Sequence, residues 1–517
     1  MEKAMNNLPS VLPETVGISS DVLLLVMKKL SELKYVNSIV ILRHGRSVLE
    51  AWQAPYRRET PHQLFSLSKS FTSCAIGLAQ AEGKLKITDR LISFFPEYDD
   101  CITDPRMRSV TLLDLLTMRS GHLVCATKYM SRQPDFIKAY LSSPLDTEPG
   151  ICFAYNSGAT YMLSAVIRQI TGENVREYLI PRLFEPLRIS PGIWECCPRG
   201  INLGGWGLSL TTGDLAKFAQ LLLQHGKWNG RQLIPADYLA EATQKHADNS
   251  MNENPDWKLG YGYQFWISQY GYRGDGASGQ LALILEKQDL CIAVTSCLNN
   301  MQELLDIFWN ELIPHLHNEP LPENPEASQR LQEYTSKWKI HPPETVMPEE
   351  PTDTIFRFQS NLAGIRQCEV SFGEQCCSWT FLTDRGTEQL RAGFGHFEYS
   401  VFKLTEKFPH PAVAYAVWTN KNTLEIHSFI CDGTYQDIWT VDFSAREEPL
   451  KNPLLPQVIR GEFSCEAKSP TFPGRRRASD AVIPPATQSP RQTSENEKRR
   501  QDSSCRQAEE RYYIASA

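Results

Sequence analysis

Leu64-Phe-Ser-Leu-Ser-Lys-Ser-Phe71 is the stretch that decides how this 517-residue chain is read. From Ser70 it continues Phe-Thr-Ser-Cys-Ala-Ile-Gly-Leu-Ala-Gln-Ala81 to Gly83, with apolar Phe71, Ile76 and Leu78 and a glycine where a C-terminal cap belongs. The pattern predicts a helix with Ser66 at its entrance. A serine hydroxyl is a poor nucleophile until a neighbour takes its proton, and a lysine three positions later projects from the same helical face. Lys69 is therefore the candidate activator of Ser66. The helix N-terminus adds unpaired N–H groups and partial positive charge suited to an oxyanion forming beside Ser66. Ser-x-x-Lys alone is a frequent surface-helix pattern, so the surrounding sequence has to decide.

Two further stretches supply the partners such a serine needs. Phe153-Ala-Tyr155-Asn156-Ser157-Gly158 precedes a helical pattern from Ala159 to Ile170 closed by Thr171-Gly172, which places Tyr155 in the loop entering a helix. A phenol beside a cationic lysine is pushed towards phenolate, so Tyr155 is a candidate to accept the Ser66 proton and return it to the leaving group. The alternative is a core tyrosine with its hydroxyl satisfied. Arg273-Gly-Asp-Gly-Ala-Ser-Gly-Gln280 joins a strand-like aromatic run, Tyr261-Gly-Tyr-Gln-Phe-Trp266, to Leu281-Ala-Leu-Ile-Leu285. Its glycines either let backbone approach a substrate closely or form a plain hairpin turn. Asp275 either orients a substrate or binds Arg273.

In this order and at these separations, the three pieces resemble the penicillin-recognising serine hydrolases, in particular the group of class C β-lactamases, family VIII carboxylesterases and D-aminopeptidases. Similar context surrounds them in Glu82-Gly-Lys-Leu85, Leu115-Leu-Thr-Met-Arg-Ser-Gly121, Gly204-Gly-Trp-Gly-Leu208 and the run at Tyr261, so the resemblance covers roughly residues 10 to 315. It implies that Ser66 is the nucleophile with Lys69 and Tyr155 as its base and acid, supported by Ser157 or Asn156. It also implies an oxyanion-hole N–H from the strand Gly274-Asp275-Gly276 or the adjoining Ala277. The implied fold is α+β and β-lactamase/transpeptidase-like. An antiparallel sheet drawn from both ends of the region is flanked by helices, with a helical region inserted between and the site roofed by loops carrying Tyr155 and Trp206. Trp206 and Trp266 either line an acyl pocket or pack in the core.

The departures carry information. The third motif lacks the lysine and threonine that would meet the carboxylate of a β-lactam or a D-alanyl peptide, which points instead to a small ester or amide. The second motif reads Tyr-Asn-Ser, leaving open whether Ser157 or Asn156 meets Lys69. Gly276-Ala-Ser278-Gly-Gln280 ends in Gln, so no nucleophile elbow of the α/β-hydrolases is formed. The implied chemistry is acyl transfer to water with no metal or organic cofactor. Transfer to an alcohol, and a silent acyl-ligand sensor or scaffold on the same fold, are the alternatives.

Outside the catalytic stretches, the composition (41% hydrophobic, 22% charged) is that of a folded globular chain, and 517 residues exceed one ordinary domain. A formal charge of −7 offers no overall basic field for nucleic acid or anionic lipid. The start of the chain lacks a secretory-signal pattern and no apolar run spans a bilayer, so the expectation is a cytoplasmic protein without a membrane partner. The 14 cysteines show no Cys-x-x-Cys spacing, which gives zinc no support. Early strands are expected at Ser38 to Leu42 and Ser47 to Trp52, late ones at Leu281 to Leu285 and Cys291 to Ser296, and helices at Val22 to Leu33 and Asp214 to Leu223. The expected organisation is a hydrolase domain over 10–320, a linker over 321–352, a small antiparallel β domain over 353–447 and a disordered basic tail over 468–517.

Overall fold

The computed structural model describes residues 8–467 apart from 191, 346–347, 349–350, 352, 359–363, 403–409, 434–435, 445–449 and 452–463. The tail expected over 468–517 lies outside the described residues. The chain forms two compact units, the first running to Ile340 and the second beginning at His341.

The first unit is built on strand β1, Val36–Arg43, every residue of which is buried. Its alternation sends Ile39 and Ile41 into one apolar cluster and Val40 and Leu42 into another, so both faces are covered. On the first face lie helix α1, Ser20–Glu32, and the later helix α5, Met301–Ile307. On the second lie α2, Ser68–Ala81, and α4, Thr212–Leu223, with α3, Ser157–Thr171, behind them. β2 (Arg46–Trp52), β3 (Trp266–Ser268), β4 (Gly271–Gly276), β5 (Gln280–Leu285) and β6 (Leu290–Ser296) complete a six-stranded sheet ordered β2-β1-β6-β5-β4-β3. All its pairings are antiparallel. β6 therefore closes against the first hairpin, as the early and late strand patterns require.

Local sequence explains the helices that carry the site. Asn156 caps α3 by accepting from the N–H groups of Gly158 and Ala159, and Gly172 ends it in the left-handed region. α2 ends likewise, with Gly83 at φ +69° just beyond its last turn. Two expectations need correction. Tyr261 to Trp266 is not a strand. Gln264 takes φ +65°, the Gly262 N–H donates to the Phe265 carbonyl and the Tyr263 N–H to the Ala242 carbonyl, so the backbone turns here and the ladder starts only at Trp266. Nor is 321–352 linker throughout. Pro325–Ser336 is a helix, opened by the Asn324 side chain and by proline at its first position, and it buries Ala327 and Leu331.

The second unit is a sheet of antiparallel hairpins. Ile365–Phe372, Cys376–Thr383 and Gly386–Gly393 form one set, and His410–Asn420, Thr423–Ile430 and Gln436–Asp442 the other. The sets meet through a short parallel contact at Gly393 and Tyr415. Trp379, Phe381, Leu424, Ile426 and Trp439 fill its core.

Candidate active site

Ser66 occupies the middle of a single 3-10 turn, Phe65–Leu67, that runs directly into α2. Phe65 takes φ +47°, a conformation that residues with side chains adopt only when their surroundings hold them there. Ser68 Oγ donates to the Phe65 carbonyl at 2.6 Å, and the Leu208 N–H donates to Ser68 Oγ at 3.2 Å, which fixes the turn from both sides. The Ser66 side chain is thus presented from a rigid corner.

Lys69 lies one turn further on, almost wholly buried. Its Nζ donates to Ser66 Oγ at 2.8 Å, to Ser157 Oγ at 3.0 Å and to the Gly205 carbonyl at 2.8 Å, so three acceptors match the three protons of an ammonium. Burial pulls its pKa down from 10.5 to about 7, against smaller opposing effects of Cys125 and Asp275. A lysine so placed is present in both protonation states near neutrality and can take a proton from the hydroxyl it touches.

Tyr155 reaches Ser66 from the loop before α3 and is hydrogen-bonded to it, while Lys69 Nζ sits 4.7 Å from the centre of the phenol ring. Burial pushes the phenol pKa up and outweighs the Ser66 hydrogen bond. The expected drift towards phenolate is therefore reversed. The resting site pairs a neutral phenol with a poised lysine.

The ambiguity of Tyr-Asn-Ser is settled by geometry. Ser157 meets Lys69, whereas Asn156 points the other way, accepting from the Ala126 N–H at 2.9 Å as well as from its own helix and donating to Ser120 Oγ at 3.2 Å. Asn156 fixes the loop and does not touch the lysine.

β4 brings the third stretch alongside the entrance of α2. A Cβ on Gly276 would lie 2.1 Å from the Leu64 carbonyl, and one on Gly274 3.0 Å from Ser70 Oγ, so the glycines allow strand and turn to touch. Asp275 accepts from Arg273 Nε at 2.9 Å inside the protein, which resolves its two expected roles in favour of the ion pair. Burial raises the Asp275 pKa, and Arg273 counters it. Ala277 follows in the turn and is partly exposed. Trp266 stacks on Tyr155 with ring centres 5.4 Å apart and is buried, so it packs against the phenol. Trp206 is half-buried against the core, its carbonyl accepting from Trp194 Nε1 at 3.0 Å.

Three participants escaped the sequence reading. Gly205 supplies the carbonyl on Lys69, and a side chain there would press on the Ser157 carbonyl at 2.9 Å; the doubled glycine was the available signal. Cys125 Sγ accepts from the Ser157 N–H at 3.3 Å, with no signal beyond a cysteine in a loop. Gln264 accepts from Thr160 Oγ1 at 2.6 Å, and its carbonyl accepts from Ser70 Oγ at 3.0 Å, tying α2 to α3. Among the described residues no group of three His, Cys, Asp or Glu side chains is placed to hold a metal ion, and no helix is long and apolar enough to cross a membrane.

The family model for beta-lactamase matches residues 37–307, more than half of the chain. The chain belongs to the beta-lactamase family. Within that family, it is 23% identical over 233 residues to a beta-lactamase of Escherichia coli K12, covering 40% of this chain and 61% of that protein. It is 25% identical over 169 residues to a lovastatin esterase of Penicillium rubens, covering 28% and 42%. A penicillin-binding protein homologue from Caulobacter crescentus superposes with TM-score 0.46 at 15% identity, covering 57% of this chain and 99% of that one. The chain thus matches about three fifths of the length of the E. coli beta-lactamase. The family fold, a sheet flanked by helices with a helical insertion, is the one described above for the first unit.

Proposed function

We propose that this chain is a serine hydrolase that cleaves small uncharged esters or amides through an acyl-enzyme on Ser66. The observation that carries the reading is the 2.8 Å contact between Ser66 Oγ and a buried Lys69 whose pKa is drawn down to about 7. Neutral Lys69 takes the Ser66 proton as Oγ attacks the substrate carbonyl. The developing oxyanion is met by backbone N–H groups of Ser66 and of the strand end at Gly276 or Ala277. Tyr155, neutral at rest, gives its proton to the leaving alcohol or amine and is reprotonated from Lys69. Water then repeats the sequence in reverse and releases the acid.

The preference for uncharged substrates follows from β4. Gly274 stands where β-lactam-hydrolysing relatives carry a lysine, and Asp275 places a carboxylate next to it, held by buried Arg273. A substrate carboxylate would find no free cation there and an acidic neighbour. The lovastatin esterase similarity is consistent with ester chemistry.

Turnover of p-nitrophenyl acetate and butyrate by the wild type and by Ser66→Ala tests the reading. Hydrolysis by the wild type alone, with one fluorophosphonate adduct on intact wild-type protein and none on the variant, is the expected result. Equal turnover by the two proteins would sink the nucleophile assignment, and an adduct without turnover would favour a sensor.

A further inference from the structure

A second concave site lies away from Ser66 in the first unit, a cavity of about 550 Å³ that shares no residue with the active site and falls in the size range of small-molecule sites. Its walls are preformed. One is the β1–β2 turn, where His44 and Gly45 take φ +51° and +69°, and another is the hairpin of Lys227–Trp228 with Arg231–Gln232, where Asn229 and Gly230 take +48° and +81°. Both are two-residue turns with paired positive φ, the geometry whose twist matches the flanking strands.

The charged side chains lining the cavity are all cations. Arg188 and Lys227 line it, no acidic side chain does, and neither cation is ion-paired among the described residues. Gln220 is 2% exposed; its Oε1 accepts from Cys291 Sγ at 3.6 Å, while its Nε2 has no acceptor among the described residues. That nitrogen and Gln224 Nε2 converge on Gly45, 3.8 and 4.0 Å from where a Cβ would stand. An amide donor that meets no protein acceptor, beside two exposed cations that form no ion pair among the described residues, suits an anion. The half-buried indole of Trp228, packed on the core, adds a flat apolar wall.

We propose that this cavity binds a small organic carboxylate carried on a flat apolar body, with Arg188, Lys227 and Gln220 holding the carboxylate and Trp228 the ring. The site is independent of the reading of Ser66, because its test requires no turnover. Isothermal titration of the full chain at low salt with benzoate, benzamide and inorganic phosphate provides it, using wild type, the double variant Arg188→Glu/Lys227→Glu, and Trp228→Ala. Melting temperatures within a few degrees of wild type establish that the variants fold.

Saturable benzoate binding is expected, weakened about tenfold or more in the double variant and at least severalfold in Trp228→Ala, with benzamide binding weakly. Absence of saturable benzoate binding, or unchanged affinity in the double variant, overturns the site. Benzamide binding as tightly as benzoate overturns the anion preference. Phosphate binding as tightly as benzoate, or Trp228→Ala binding benzoate as the wild type does, overturns the apolar half of the proposal.

Discussion

At the scale of single residues, the site turns on the contrast between Lys69 and Tyr155. Lys69 is buried and Tyr155 half-buried, and desolvation acts oppositely on a cation and on an acid. The ammonium is discouraged and the phenolate more so, which leaves Lys69 as the group that titrates near neutrality. If neutral Lys69 is the base, kcat/KM for p-nitrophenyl butyrate is low in acid and rises through an apparent pKa near 7 to a plateau. A profile flat from pH 5.5 to 9 would remove Lys69 from that role. Lys69→Arg keeps a cation but cannot lose its proton, so it is expected to lose activity nearly as fully as Lys69→Ala, by about a thousandfold or more. The neighbours Asn156 and Ser157 separate stability from chemistry. Asn156→Ala removes a helix cap and the bond to Ala126, and is expected to cost about 1–2 kcal/mol in urea unfolding. Ser157→Ala removes one acceptor from Lys69 and is expected to lower kcat about tenfold or more.

At the scale of elements, what was legible in the sequence is what neighbouring residues determine. The α2 and α3 boundaries, their glycine ends, and the hairpin from Val36 to Trp52 follow from caps, turn residues and periodicity that lie within each segment. What was illegible depends on elements distant in the chain. The turn before Trp266 is held by the Ala242 carbonyl, which accepts from the Tyr263 N–H, Lys69 is satisfied by Gly205, and the direction in which Tyr155 shifts comes from the desolvation that packing imposes on it. The contact between β4 and the Ser66 turn belongs to both classes, because the glycines of β4 were visible while the carbonyl they make room for was not. Gly276→Ala tests that contact. A methyl 2.1 Å from the Leu64 carbonyl cannot be accommodated without moving strand or turn, and neither is a flexible side-chain end. The variant is expected to lose about 1–3 kcal/mol of stability. Its remaining folded fraction should hydrolyse p-nitrophenyl butyrate at least tenfold more slowly than wild type, since the proposed oxyanion donors shift with the strand. Full activity per folded molecule would show that β4 does not set the geometry at Ser66.

At the scale of the whole molecule, a buried lysine of this kind opposes folding, and the opposition depends on pH. In the unfolded chain Lys69 holds its proton up to about 10.5, and in the folded one only up to about 7. Between these values the unfolded state binds more protons, so the Lys69 contribution to stability rises with pH across that window. Below pH 7 the folded protein carries a buried ammonium, and the penalty is present in full. Above 10.5 both states are neutral and the penalty is gone. The three acceptors on Nζ offset part of the burial cost, so the sign of the total effect of Lys69→Met at any one pH mixes two terms. The slope does not, because methionine cannot titrate. Urea unfolding of wild type and Lys69→Met at pH 6, 7, 8, 9 and 10 should therefore give a stability difference that is flat below pH 7. Above it, the difference should move in favour of the wild type by up to about 1.4 kcal/mol per pH unit. A difference that stays constant from pH 7 to 10 would mean that Lys69 keeps its ordinary pKa in the folded protein, and the lysine could not then serve as a neutral base at physiological pH.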